Sequence, residues 1–119
     1  MAIYTKEALS QGSNGLGVQI TSTTSPGVAI HNSPSGTTSW DEVWLWVTNN
    51  DPGNDDEALT ILWGDSNYSK WTVAENITID SGLKLVVPGL ILQNSQSVFG
   101  WANVDNTALT VFGYVNRIT

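Results

Sequence analysis

The stretch SWDEVWLWVTNN, Ser39 to Asn50, places three tryptophans within seven residues on a strictly alternating run. In an extended chain Val43, Leu45 and Val47 point to one side and Trp44 and Trp46 to the other, because successive side chains of a strand alternate between faces. Neither face is polar. A strand of that kind belongs in the middle of a sheet covered on both sides, or in a sheet whose outer face meets something else. The rings therefore look at the protein's own core, at a ligand such as a sugar, or at another subunit.

The neighbouring segments carry the same alternation. In EALTILWG, Leu59, Ile61 and Trp63 share one face and Ala58, Thr60 and Leu62 the other, so one face is core. In LTVFGYVNRI, Leu109, Val111, Gly113 and Val115 oppose Thr110, Phe112, Tyr114 and Asn116. The two long strands together have more apolar face than a small monomer can bury, which points to an interface. The β-rich runs predict strands at Leu16–Ser22, Val28–His31, Glu42–Asn49, Ala58–Trp63, Tyr68–Val73, Asn76–Ile79, Leu83–Val87, Ser97–Asn103 and Leu109–Arg117. Turn signals separate them: SPG at 25–27, NSPSG at 32–36, NNDPGNDDE at 49–57, WGDSN at 63–67, DSG at 80–82, PG at 88–89 and DNT at 105–107, each supplying Gly, Pro or Asx where the chain reverses. Short strands at this spacing, with no helical periodicity, predict an all-β fold: a single antiparallel β-sandwich over residues 15–119. Residues 1–14 are expected to form an irregular N-terminal arm, with Ile3, Tyr4 and Leu9 as anchors if the arm docks on a neighbour.

Composition narrows the partners. The 119 residues include 11 acidic side chains against Lys6, Lys70, Lys84 and Arg117, a formal charge of −7. A nucleic-acid binder needs basic side chains for its phosphate contacts, so neither nucleic acid nor an anionic membrane is an expected partner. Cysteine is absent, which removes thiol catalysis, disulfides and cysteine-based metal sites. The N-terminal MAIYTKEALSQG lacks the basic and apolar regions of a secretion signal, so the product is expected to stay in the cytoplasm of the cell that makes it. On that expectation the sequons at Asn67 and Asn76 read as ordinary asparagines at strand ends.

Catalytic constellations are weak. His31 is the single histidine, with Ser33 and Asp41 near it, but no GxSxG elbow accompanies them and His31 reads as a surface residue at a strand end. Asp41, Glu42, Asp65 and Glu75 could supply a carboxylate pair for glycoside hydrolysis, as any β-protein with 11 acids could. The cluster Asp51, Asp55, Asp56 and Glu57 has oxygen-rich chemistry suited to calcium yet misses the EF-hand spacing, and reads as a solvated hairpin loop turned by Pro52–Gly53. GSNGLG lacks the spacing and the strand–helix context of a dinucleotide loop. No catalytic residue, cofactor or metal is assigned. The tryptophans, Trp40, Trp44, Trp46, Trp63, Trp71 and Trp101, are the unusual resource. Rings in strands act mainly as core or interface anchors, with sugar stacking as the alternative.

The succession ALTILWGD, ITIDSGLKLVVPGLILQNSQSVFGWA and LTVFGYVNRI resembles small virion proteins of tailed bacteriophages, over roughly Val43 to Ile118. The resemblance implies a capsid decoration, or cement, protein: a non-enzymatic, jelly-roll-like sandwich that forms homotrimers on the outer capsid surface. Its partners would be the major capsid protein and itself. The candidate interface residues are Ile3, Tyr4, Leu9, Trp40, Trp44, Trp46, Phe112 and Tyr114. A carbohydrate-binding module of a host-recognition fibre and a tail or head–tail connector component are the alternatives.

Overall fold

A computed structural model describes residues 2–12, 14–51, 56–65, 68–77, 82–103 and 108–119, with the backbone alone for residues 65 and 68–76. Nine strands form among them: β1 (Tyr4–Ala8), β2 (Val18–Gln19), β3 (Val28–Asn32), β4 (Trp40–Asn49), β5 (Glu57–Asp65), β6 (Tyr68–Ile77), β7 (Lys84–Leu92), β8 (Ser97–Ala102) and β9 (Leu109–Ile118). They make two antiparallel sheets packed into one β-sandwich. The first, sheet A, has the order β1-β9-β4-β7, with β2 also pairing β9. The second, sheet B, has the order β3-β8-β5-β6.

The alternation read from β4 is realised along its whole length. Asp41, Val43, Leu45, Val47 and Asn49 are buried between the sheets, while Trp40, Glu42, Trp44, Trp46 and Thr48 are half-buried on the far side. Its neighbour β9 follows in register, Val43 opposite Val115 and Val47 opposite Val111. Leu59 and Ile61 of β5, Ile30 of β3 and Val98 of β8 close the core from sheet B, and Trp63 packs against its margin. Full burial of each Leu, Ile or Val side chain is worth about 1.5–3 kcal/mol, which makes this layer the main source of stability. Gly113 permits the central pairing: a Cβ there would overlap the Trp44 carbonyl oxygen.

Four segments differ from the sequence reading, and in the first of them the strand expected at Leu16–Ser22 forms only over Val18–Gln19. The arm is not irregular throughout, because β1 pairs antiparallel with β9, Tyr4 opposite Ile118 and Ala8 opposite Tyr114. Its polar composition hid a strand that leans on β9 for its ladder. The two short strands expected at 68–73 and 76–79 are one strand up to Ile77, held by pairing to β5 along its length; residues 78 and 79 lie outside the described residues. Pro88–Gly89, read as a turn, lies inside β7. It forms an irregularity in the register with β4 between Val43 and Trp44, and Gly89 takes φ +77°. An edge strand tolerates proline because one side of its backbone needs no ladder partner. The turns expected at 52–53, 66–67, 80–81 and 105–107 lie outside the described residues.

Candidate functional site

The outer face of sheet A collects the aromatic side chains. On β4 and β9 the outward pairs are Trp40 with Ile118, Glu42 with Asn116, Trp44 with Tyr114, Trp46 with Phe112 and Thr48 with Thr110. From β7 come Ile91 opposite Glu42, Pro88 opposite Trp44 and Leu85 opposite Trp46. From β1 come Tyr4 opposite Ile118 and Lys6 opposite Asn116. On β4 and β9 strand alternation alone produces this face, since every member sits two residues from the next along its strand.

The rings form a continuous row. Trp44 and Trp46 lie with centroids 6.3 Å apart and planes 20° apart, and Trp46 and Tyr114 with 6.0 Å and 28°. These are offset-stacked pairs, at separations where such contacts are favourable. At one end the Lys6 ammonium lies 4.5 Å from the Tyr114 ring centroid, a cation–π contact. At the other end the Trp44 ring rests on Gly89, where an added Cβ would fall 2.7 Å from Cζ2. The row thus runs from β7 through β4 and β9 to β1. Glu42 locks it: the Trp44 indole donates to Glu42 Oε1 at 2.8 Å and the Asn116 amide to the same oxygen at 3.0 Å. These two donors hold the Glu42 carboxyl below its ordinary value against a smaller opposing effect of burial.

Beneath this face lies a buried polar cluster. Asp41 and His31 are both fully buried, and His31 Nε2 stands 2.6 Å from Asp41 Oδ2. Arg117 donates to both carboxylate oxygens, Nε to Oδ1 at 2.8 Å and a terminal nitrogen to Oδ2 at 3.1 Å. The Ser10 backbone N–H donates to His31 Nδ1 at 3.0 Å. Nδ1 is therefore the unprotonated nitrogen, and Nε2 carries the proton it gives to Asp41. Burial pushes the Asp41 carboxyl upward, but the hydrogen bonds from Arg117 and His31 and the Arg117 charge outweigh it, and the net shift is downward. The Asp41 carboxylate raises Arg117 in turn. Ser10 adds a second tie, its hydroxyl accepting the Asn32 N–H at 2.8 Å.

His31 is thus no surface residue. Strand β3 turns it inward, where Asp41 and Arg117 of the opposite sheet meet it. Nor does the cluster make a catalytic triad: the Ser33 hydroxyl donates to the Gln96 carbonyl at 3.0 Å, and both imidazole nitrogens are engaged. Its chemistry is that of a fastener joining β3, β4, β9 and the segment after β1. Arg117 and Ser10 escaped the sequence reading, because no local spacing signals a pairing across 76 residues, Asp41 to Arg117.

The expected interface residues divide. Ile3 and Tyr4 are exposed at the sheet edge, and Trp40, Trp44, Trp46, Phe112 and Tyr114 lie half-buried on the outer face. Leu9 is instead part of the core at 4% exposure. Trp44 and Trp46 point outward, which decides between the inward and outward orientations the sequence left open. Of the carboxylates weighed for hydrolysis, Asp41 faces inward and Glu42 outward, and the side chains of Asp65 and Glu75 lie outside the described residues. In the acidic segment Asp51 and Glu57 are buried and Asp56 is exposed, so it is less solvated than expected; residues 52–55 lie outside the described residues. Among the described residues no group of three or more His, Asp and Glu is placed to hold a metal ion, and no helix is long and apolar enough to cross a membrane. Comparison with protein-family models, curated proteins and solved structures returns no match.

Proposed function

We propose that this chain is a structural virion protein of the capsid decoration type, which binds the outer surface of a capsid as an oligomer and stabilises contacts between major capsid subunits. One observation carries the reading: the outer face of sheet A carries an aromatic row, Trp44, Trp46, Phe112 and Tyr114, that has no covering layer among the described residues. Such a face suits burial against another protein, where aromatic anchors contribute most of the binding energy. Strand order supports the finer assignment of the sandwich as a jelly roll. β2 to β5 and β6 to β9 cross from one sheet to the other at every step, and β2 lies beside β9, β3 beside β8, β4 beside β7 and β5 beside β6. Several copies held together present several weak capsid contacts at once, and multivalency converts them into durable attachment.

The sugar-binding reading draws less support. A carbohydrate platform needs ring faces turned to solvent, whereas here the rings turn their faces to one another, to Gly89 and to Lys6. The test is co-sedimentation of the purified chain with expanded capsids, alongside Trp46→Lys. The proposal expects saturable binding lost in the variant with unfolding unchanged. Absence of binding, with quenching of tryptophan fluorescence by an oligosaccharide, would replace it with the sugar-binding reading.

A further inference from the structure

Among the described residues, the large exposed apolar side chains are confined to the two opposite edges of one sheet. There are seven of them, exposed from 36% (Leu90) to 71% (Tyr4). Ile3, Tyr4 and Leu16 belong to or adjoin β1 and β2, which lie in tandem along β9 at one edge of sheet A. Leu83, Leu85, Leu90 and Ile91 belong to or adjoin β7 at the other edge. Proteins ordinarily blunt a free edge with charge. Here the segment from Gly82 to Leu92 carries one lysine and no acid, in a chain of net charge −7.

Charge is segregated the same way. The strand residues of sheet A include Glu7, Asp41 and Glu42 against Lys6, Lys84 and Arg117, and so balance. The whole net charge of −7 therefore lies on sheet B and the connecting segments. The strands of sheet A thus bring no net charge of their own to a contact between copies.

We infer that copies of this chain associate head to tail, the β7 edge of one against the β1–β2 edge of the next. The strand directions suit the junction. Each neighbour in β1-β9-β4-β7 is antiparallel to the last, so β7 runs opposite to β1 and the seam keeps the antiparallel order. A two-fold β7-to-β7 contact would leave Ile3, Tyr4 and Leu16 uncovered. Pro88 and the Gly89 irregularity divide the β7 edge into two short runs, so side chains carry the seam rather than an unbroken ladder. A heterologous contact of this kind closes into a ring when the rotation between neighbours completes a full turn. It leaves the aromatic face free for a different partner. The inference rests on the oligomer of the proposed function and assigns that oligomer's contact to the edges.

The experiment compares solution masses by light scattering for the full chain, an edge variant Leu83→Lys/Ile91→Lys, an opposite-edge variant Tyr4→Lys/Leu16→Lys, and the two variants mixed. The natural chain is expected at a multiple of the single-chain mass that added salt does not lower, and each variant at the single-chain mass with an unchanged far-ultraviolet circular dichroism spectrum. The mixture should form a two-chain species, because each variant retains the edge its partner lacks. A mixture that stays at the single-chain mass overturns the head-to-tail contact. Edge variants that keep the natural mass, while Trp46→Lys breaks it, overturn the edge assignment and leave the oligomer standing. A natural chain of single-chain mass overturns the inference, whereas the capsid reading falls or stands by its own sedimentation assay.

Discussion

Replacing Asp41 by asparagine alters one atom of a fully buried side chain and sets donors against donors. Asp41 Oδ1 accepts from Arg117 Nε, Oδ2 accepts from both a terminal nitrogen of Arg117 and His31 Nε2, and His31 Nδ1 accepts from the Ser10 N–H. An asparagine whose oxygen keeps Arg117 Nε turns its amide N–H2 toward both the His31 N–H and the terminal nitrogen of Arg117. If the imidazole shifts its proton to Nδ1 to accept that amide, the Ser10 N–H loses its acceptor. Either way one buried donor is orphaned, which costs about 1–3 kcal/mol, and hydrogen bonds to a charged group, worth about 1.5–3 kcal/mol each, become neutral ones. The Arg117 side chain is 32% exposed and recovers part of its share from water. The expected loss is about 3–5 kcal/mol, the range for breaking one side of a buried charged pair. At this chain length the midpoint of thermal unfolding should fall by roughly 10–25 °C.

The assay is equilibrium unfolding in urea followed by tryptophan fluorescence, for the natural chain and Asp41→Asn across pH. The folded-state pKa of Asp41 lies below its ordinary value of 3.8. A depressed carboxyl contributes stability that is complete above the unfolded-state value and is lost as pH falls through the folded-state value. The gap between natural chain and variant should therefore be constant from neutrality to about pH 5 and close below about pH 4. A neutral-pH loss under about 1 kcal/mol, or a gap that widens in acid, would refute the account.

Two further substitutions test the sheet. In Gly113→Ala the new methyl group would overlap the Trp44 carbonyl oxygen and meet Leu45 Cδ2 at 3.0 Å, so β9 must move off β4. Thermal unfolding should report a loss of about 1–3 kcal/mol or more, as overpacking costs in a close-packed interior. Lys6→Met removes the ammonium over Tyr114 while keeping an aliphatic stem. Its effect in the same assay should be about 0.5–1 kcal/mol, typical of an exposed cation–π pair.

Much of the aromatic face is legible in the order of residues along two strands. Trp44, Trp46, Phe112 and Tyr114 share it because alternation assigns each side chain to a face, and a one-residue slip would have put Val43, Leu45 and Val47 in solvent. The N-terminal strand is not legible in this way: Tyr4–Ala8 is polar and short, and becomes a strand because β9 offers an unpaired edge beside it. Pro88–Gly89 misleads for the converse reason, since its local turn chemistry is overridden by pairing to β4 on both sides of it.

By itself the sequence determined the class of fold, which side chains of the two central strands share a face, and the absence of thiol or strongly basic chemistry. These follow from composition and from a period of two, which are local properties of the chain. Tertiary structure alone decided that His31, Asp41, Arg117 and Ser10 converge, that the tryptophan row faces outward, and that the exposed leucines and isoleucines gather on opposite edges of one sheet. Those outcomes depend on which strand lies beside which. That choice is made by long-range pairing and burial, on which the spacing of residues along the chain is silent.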